Sequence, residues 1–149
     1  MYAKRILLVE DNMNDIELTL AALEEHRLSN QVDVVRDGVE AIDYLYKRGA
    51  YSDCSHSLPM VMLLDLKMPR MDGLEVLRRV KRDDELKTIP IVMLTSSREE
   101  QDVVESYKLG VNAYVVKPVA FDNFVAVVKQ LGLFWVLINE PPPDVPPKH

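Results

Sequence analysis

The stretch Val61-Met62-Leu63-Leu64-Asp65-Leu66-Lys67-Met68-Pro69-Arg70-Met71-Asp72-Gly73 decides how the rest of the chain is read. Residues 61–64 form a short, unbroken apolar run between turn signals, which predicts a strand buried on both faces. Asp65 stands at its exit. Pro69 and Asp72-Gly73 then open a helix whose Leu74, Leu77 and Val80 recur at helical spacing. The unit is a strand, an acidic exit, a turn and a helix.

The same unit recurs on either side. Ile6-Leu7-Leu8-Val9 runs into Glu10-Asp11, after which Asn12 or Asn14 can cap a helix with Ile16, Leu20 and Leu23 on one face. Residues 31–36 read as a strand, and Asp37-Gly38 starts a helix expected to turn Val39, Ile42, Leu45 and Tyr46 inward. Residues 49–58 are small and polar, a connection longer than most. Residues 91–94 form a strand that delivers Thr95, followed by a helix over 98–109. Residues 113–116 form the last strand and deliver Lys117; after Pro118 a helix begins near Phe121. Strict alternation of five strands with helices predicts an α/β fold, a doubly wound parallel sheet in a three-layer αβα sandwich.

With 149 residues, 48% of them apolar and 28% charged, the chain is an ordinary soluble globular domain. Its formal net charge of -6 argues against a nucleic-acid partner, which would call for a basic patch. The lone cysteine, Cys54, cannot form an internal disulfide and fits a reducing, cytoplasmic setting. The early apolar run is too short for a secretory signal, and residues 124–138 are interrupted by Lys129-Gln130, so neither export nor membrane insertion is expected.

Ligands of doubly wound sheets bind outside the carboxyl ends of the strands. Here those ends present Glu10, Asp11, Asp65, Thr95 and Lys117. Two like charges about 4 Å apart repel by roughly 4 kcal/mol at an effective dielectric near 20, so such a cluster calls for a cation. A hard divalent ion with oxygen ligands answers it, and Mg²⁺ held by one or two carboxylates, water and phosphate fits best. Lys117 offers a point charge for a phosphoryl oxygen and Thr95 a neutral hydrogen bond. The chemistry predicted is phosphoryl transfer onto a carboxylate.

The runs I-L-L-V-E-D-N, L-L-D-L-K-M-P-R-M-D-G, V-M-L-T-S and Y-V-V-K-P resemble those of bacterial response-regulator receiver domains (CheY-like), over about residues 4–131. The resemblance implies a flavodoxin-like strand order of 2-1-3-4-5. It implies that Asp65 is the phosphoacceptor, taking its phosphoryl group from phosphohistidine on a sensor histidine kinase. Mg²⁺ would be bound by Asp11, Asp65 and the backbone carbonyl of Lys67, with Glu10 acting through water. A cis peptide is implied at Lys117–Pro118, and a switch pairing Thr95 with the aromatic Tyr114. In this family the position of Lys67 faces the phosphoryl group, so its side chain is expected to influence how fast that group is lost. The D-I-E-L-T-L helix, the D-Y-L-Y-K-R-G-A-Y run and Phe134-Trp135 further resemble the small single-domain regulators of phytochrome-type kinases, which makes a bacteriophytochrome the expected partner.

Other readings bound this one. An isolated Glu10-Asp11 would be a solvated loop, and Tyr114 alone a half-buried strand aromatic. Cys54 and His56 have no companion ligands for a metal, and His26 suits the end of a helix. An Mg-dependent phosphatase with an aspartyl nucleophile is the alternative function, but such enzymes usually place a second aspartate where Lys67 stands. A nucleotide-binding module would need a glycine-rich phosphate loop, which is missing. The receiver is expected to span residues 1–139, with an extended C-terminal segment from about 132 and a Pro-rich tail over 140–149. Phe124, Val125, Val128, Leu131 and Trp135 suffice to cover the sheet, and Gly132 is expected to break or bend the helix. Leu133, Phe134, Val136, Leu137 and Ile138 add apolar surface, which either folds back on its own domain or, the reading favoured, makes a homodimer through the last strand and helix. The protein is then expected to be a phosphoacceptor switch, not an enzyme on external substrates, with protein contact or onward phosphate relay to another histidine protein as its output.

Overall fold

Five parallel strands, β1 (Ile6–Val9), β2 (Val32–Val35), β3 (Val61–Asp65), β4 (Ile91–Thr95) and β5 (Ala113–Val116), lie in the order β2-β1-β3-β4-β5. The structure, a computed structural model, describes residues 5–25, 28, 31–53 and 58–133. Every residue of the three central strands is buried, as their unbroken apolar runs require, while the edge strands β2 and β5 are only partly covered. Helices α1 (Met13–Glu24) and α5 (Phe121–Gln130) pack on one face, against Ile6, Leu8, Leu63 and Leu94. Helices α2 (Gly38–Tyr46), α3 (Gly73–Arg82) and α4 (Arg98–Ser106) lie on the other, over Leu7, Val9, Leu64 and Met93. Alternate residues of each central strand thus feed two cores, the three-layer arrangement expected.

Four of the five helices begin on a side-chain cap that follows a strand exit. Asn12, Asp37, Asp72 and Ser97 accept the N–H of Asp15, Glu40, Glu75 and Glu100 at 2.9, 2.8, 3.0 and 3.2 Å. Each cap satisfies a donor the helix cannot pair and fixes where the helix starts relative to the strand before it. Of the two asparagines that could cap α1, Asn12 does so. The α3 start is held further by close approach: a Cβ on Gly73 would lie 2.2 Å from the Asp65 carbonyl oxygen, and one on Gly38 2.2 Å from that of Met71. Arg70, in the left-handed region at φ 65°, reaches back to Asp37 at 2.8 Å. The loop that carries Lys67 is therefore clamped between the first turns of α2 and α3.

Several expectations need correction. Tyr46 does not turn inward: it is 43% exposed, its ring lies under the Arg48 guanidinium, and its hydroxyl donates to Asp83. Tyr44 takes the interior place, because the buried stripe is Ala41, Ile42, Tyr44 and Leu45, and its hydroxyl finds Asp33. The second strand is shorter at each end than 31–36. The polar connection opens with a 3-10 turn, Gly49–Tyr51, whose Tyr51 packs edge-on against Tyr44 at 5.2 Å. Helix α4 stops at Ser106, short of Leu109, since Lys108 and Gly110 take positive φ.

Gly132 breaks the helix, as expected. At φ 75° it ends α5 in a closing turn, its N–H bonding to the Lys129 carbonyl and that of Leu133 to the Val128 carbonyl, both at 3.0 Å. Residues 26, 54, 56 and 134–149 lie outside the described residues, and with them His26, Cys54, His56, Phe134, Trp135 and the Pro-rich tail. Among the described residues no helix is long and apolar enough to cross a membrane.

Gly73→Ala should lower stability by about 2 kcal/mol, the usual cost of forcing a methyl into filled space. The check is the urea midpoint at constant slope; an unchanged midpoint would mean that the loop can back away from α3.

Candidate functional site

Parallel register brings the strand exits together. Asp65 and Thr95 are the last residues of β3 and β4, with Asp65 opposite Leu94 and Thr95 opposite Val116. Glu10 follows β1 and is held there by its N–H to the Val35 carbonyl at 3.0 Å; Lys117 follows β5, its N–H on the Thr95 carbonyl at 2.7 Å. The Lys117–Pro118 peptide is cis. Arg36 donates to the Asp11 carbonyl at 2.9 Å and ties that loop to the end of β2.

The side chains converge on the Lys117 ammonium. It donates to Asp65 Oδ1 at 3.0 Å, Asp15 Oδ2 at 3.1 Å and Glu10 Oε1 at 3.3 Å. Glu10 is 0% exposed and Asp65 4%, so both carboxyls are almost wholly out of water. Burial, then the neighbouring Asp65 charge, pushes the Glu10 carboxyl up to about 7 against the pull of Lys117. Burial likewise raises Asp65, although the Lys117 hydrogen bond opposes it. For Lys117 burial works against the charged form, but the bonds to Asp65 and Asp15 outweigh it and hold the ammonium above its ordinary range.

One oxygen from each of Glu10, Asp11 and Asp65 lies within 4.8 Å of the other two. An all-oxygen, acidic donor set of this kind suits a hard divalent cation. A second feature asks for a ligand. Thr95 is 0% exposed and its Oγ1 has no hydrogen-bond partner among the described residues, a costly state for a buried hydroxyl unless something else completes it. The oxygen cluster fits a divalent cation, and the Thr95 hydroxyl fits a further ligand that can accept its hydrogen bond.

Tyr114 stands farther out, half-buried on β5 beside a cavity of about 210 Å³ that Val104, Glu105 and Leu109 help to line. Burial and the charge of Glu105 raise its hydroxyl. Lys67 turns its side chain to solvent, 81% exposed, with its ammonium 3.6 Å from Glu100 Oε2 on α4. That glutamate also accepts both the N–H and the hydroxyl of Ser96, at 3.0 and 2.8 Å. Two participants were missed in the sequence. Asp15 lies on a helix, where a search of strand exits does not look, and Glu100 lies in the first turn of α4; the caps Asn12 and Ser97, each three residues earlier, are the signals that would have placed them.

A model of the response regulator receiver domain matches residues 6–129. The chain belongs to that family. Among solved receivers, the bacteriophytochrome response regulator RtBRR is 59% identical with a TM-score of 0.85, covering 96% of this chain and 86% of its own. AtBRR, also a bacteriophytochrome response regulator, is 58% identical with a TM-score of 0.86, over 94% of this chain and all of that one. Response regulator Rcp1 of Synechocystis sp. is 38% identical over 89% of both chains, and its Mn²⁺-bound form superposes with a TM-score of 0.64 at 35% identity, over 91% of this chain and 90% of that one. The receiver is thus a response regulator of two-component signalling, homologous to those of phytochromes, and nothing in these likenesses supports the phosphatase alternative.

The raised Glu10 carboxyl has a measurable consequence for the metal-free receiver. Between its unfolded value of 4.5 and about 7 the folded protein holds a proton that the unfolded chain has released. Stability should therefore fall as pH rises across that window. Urea unfolding in EDTA at about pH 5 and about pH 7 checks the sign, and Glu10→Gln should flatten the difference; a wild type that grows more stable toward neutrality contradicts it.

Proposed function

We propose that Asp65 accepts a phosphoryl group from phosphohistidine on a sensor histidine kinase, and that the phosphorylated receiver signals by protein contact. The observation that carries this is the buried Asp65 carboxylate, gripped by Lys117 at 3.0 Å beside the Glu10–Asp11 pair. One Asp65 oxygen attacks phosphorus as the phosphorus–nitrogen bond breaks and the imidazole leaves with the electron pair. Lys117 turns one N–H to a phosphoryl oxygen, and the unpartnered Thr95 hydroxyl donates to another. Asp11, Asp65 and the Lys67 backbone carbonyl would hold Mg²⁺, with Glu10 acting through water; when bound, the ion neutralises charge gathering on the phosphoryl oxygens. Drawing Thr95 inward makes room for Tyr114, which rotates and remodels the surface around α4. The receiver promotes only its own phosphorylation and dephosphorylation.

The likeness to RtBRR and AtBRR supports a bacteriophytochrome-type kinase as the phosphodonor. A homodimer through the last strand and helix is supported by the edge position of β5 and the 53% exposure of its Val116. A cytoplasmic location agrees with both.

Incubation with Mg²⁺ and acetyl phosphate should add one phosphoryl group by intact mass. Asp65→Asn should abolish the gain, and Lys117→Ala should slow it by about 100-fold, the cost of losing one charge-stabilising donor; a gain that survives Asp65→Asn would remove the assignment. Val116→Asp should return a monomer mass by light scattering where wild type returns a dimer; equal masses would remove the interface.

A further inference from the structure

The third carboxylate on Lys117, that of Asp15, belongs neither to a strand exit nor to the acidic oxygen cluster. An ammonium has three N–H groups, and those of Lys117 meet Asp65, Asp15 and Glu10. Two of these partners also belong to the oxygen cluster that can take a divalent cation; Asp15 does not. Asp15 is fixed independently. Its N–H is the one that Asn12 caps, at 2.9 Å, so its carboxylate projects from a pinned first turn of α1. The pair is sheltered, with side-chain exposures of 14% for Lys117 and 25% for Asp15, which sets it apart from surface ion pairs of little worth.

We propose that Asp15 is a positioning residue for phosphoryl transfer: it keeps Lys117 anchored and aimed when Asp65 and Glu10 turn to other partners. The inference rests on Asp65 being the phosphoacceptor. In the resting site Lys117 is shared among three anions. Once Asp65 bears the phosphoryl group and Glu10 faces the cation, Asp15 is the one carboxylate of the three left to the ammonium. A lysine stem has four rotatable bonds, and a fixed anion at its tip removes freedom that the incoming phosphoryl group would otherwise have to remove. Charge divides accordingly, with Glu10, Asp11 and Asp65 facing the divalent ion and Asp15 facing the lysine.

The experiment is phosphorylation by acetyl phosphate and Mg²⁺ in wild type, Asp15→Ala, Asp15→Asn, Lys117→Ala and the double variant Asp15→Ala/Lys117→Ala. Asp15→Ala should lower the rate at saturating donor about 10-fold with KM nearly unchanged. Asp15→Asn keeps an acceptor oxygen of the same size and should fall between; it carries the test if the alanine variant does not fold. In the Lys117→Ala background Asp15→Ala should cost nothing further, since its effect runs through the ammonium. In the metal-free protein, the ¹⁵N-detected Lys117 ammonium should be protected from exchange in wild type and lose that protection in Asp15→Ala. A wild-type rate in Asp15→Ala, or an equal loss with and without Lys117, overturns the role of Asp15 and leaves Asp65 untouched. A wild type that gains no phosphoryl group overturns the Asp65 reading instead.

Discussion

One ammonium group governs this molecule. Lys117 is the positive charge against which the receiver can bring Glu10, Asp15 and Asp65 to within 3.3 Å of a common point with two of them almost dry. Coulomb repulsion among those carboxylates is large at low local dielectric, and burial adds to the cost of ionising each. The lysine offsets part of this, which is why Glu10 titrates near neutrality instead of staying neutral throughout. The rest of the imbalance is what makes the rim receptive to a divalent ion and a phosphoryl group.

The fold serves that balance by placing short, rigid exits side by side. Parallel pairing delivers residues of β1, β3, β4 and β5 at one level, and the caps on α1, α2, α3 and α4 leave the exit loops little freedom. The close approach of Gly73 to the Asp65 carbonyl extends the same control to the backbone of the proposed phosphoacceptor. Precision of this kind matters because a charged contact displaced by about 1 Å loses much of its value for reaction.

Most of the architecture was legible because its signals are local. Apolar runs of four or five residues marked the strands, their acidic or hydroxyl exits marked the rim, and Asp37 and Asp72 stood where helices start. What escaped depends on packing in three dimensions. Tyr44 and Tyr46 are equally aromatic and two residues apart, and the choice between them was made by Asp33 and Asp83 on other elements. Asp15 and Glu100 escaped because a helix first turn projects sideways over a neighbouring strand exit, a relation that no periodicity encodes. The roles proposed for Tyr114 and the Lys67 carbonyl rest on resemblance alone, since neither a half-buried strand aromatic nor a loop carbonyl announces its use.

The wholly buried Glu10 also bears on how this protein can be improved. A site that is costly for the empty molecule is one where a neutral or apolar replacement tends to toughen the scaffold, the familiar opposition between endurance and activity. On the role proposed for Glu10, library selection that rewards survival on heating alone would therefore favour silenced receivers, with changes at position 10 among them. Engineering a hardier receiver from this chain calls for gains made elsewhere, at helix ends and loops, while the acidic rim is kept as it stands.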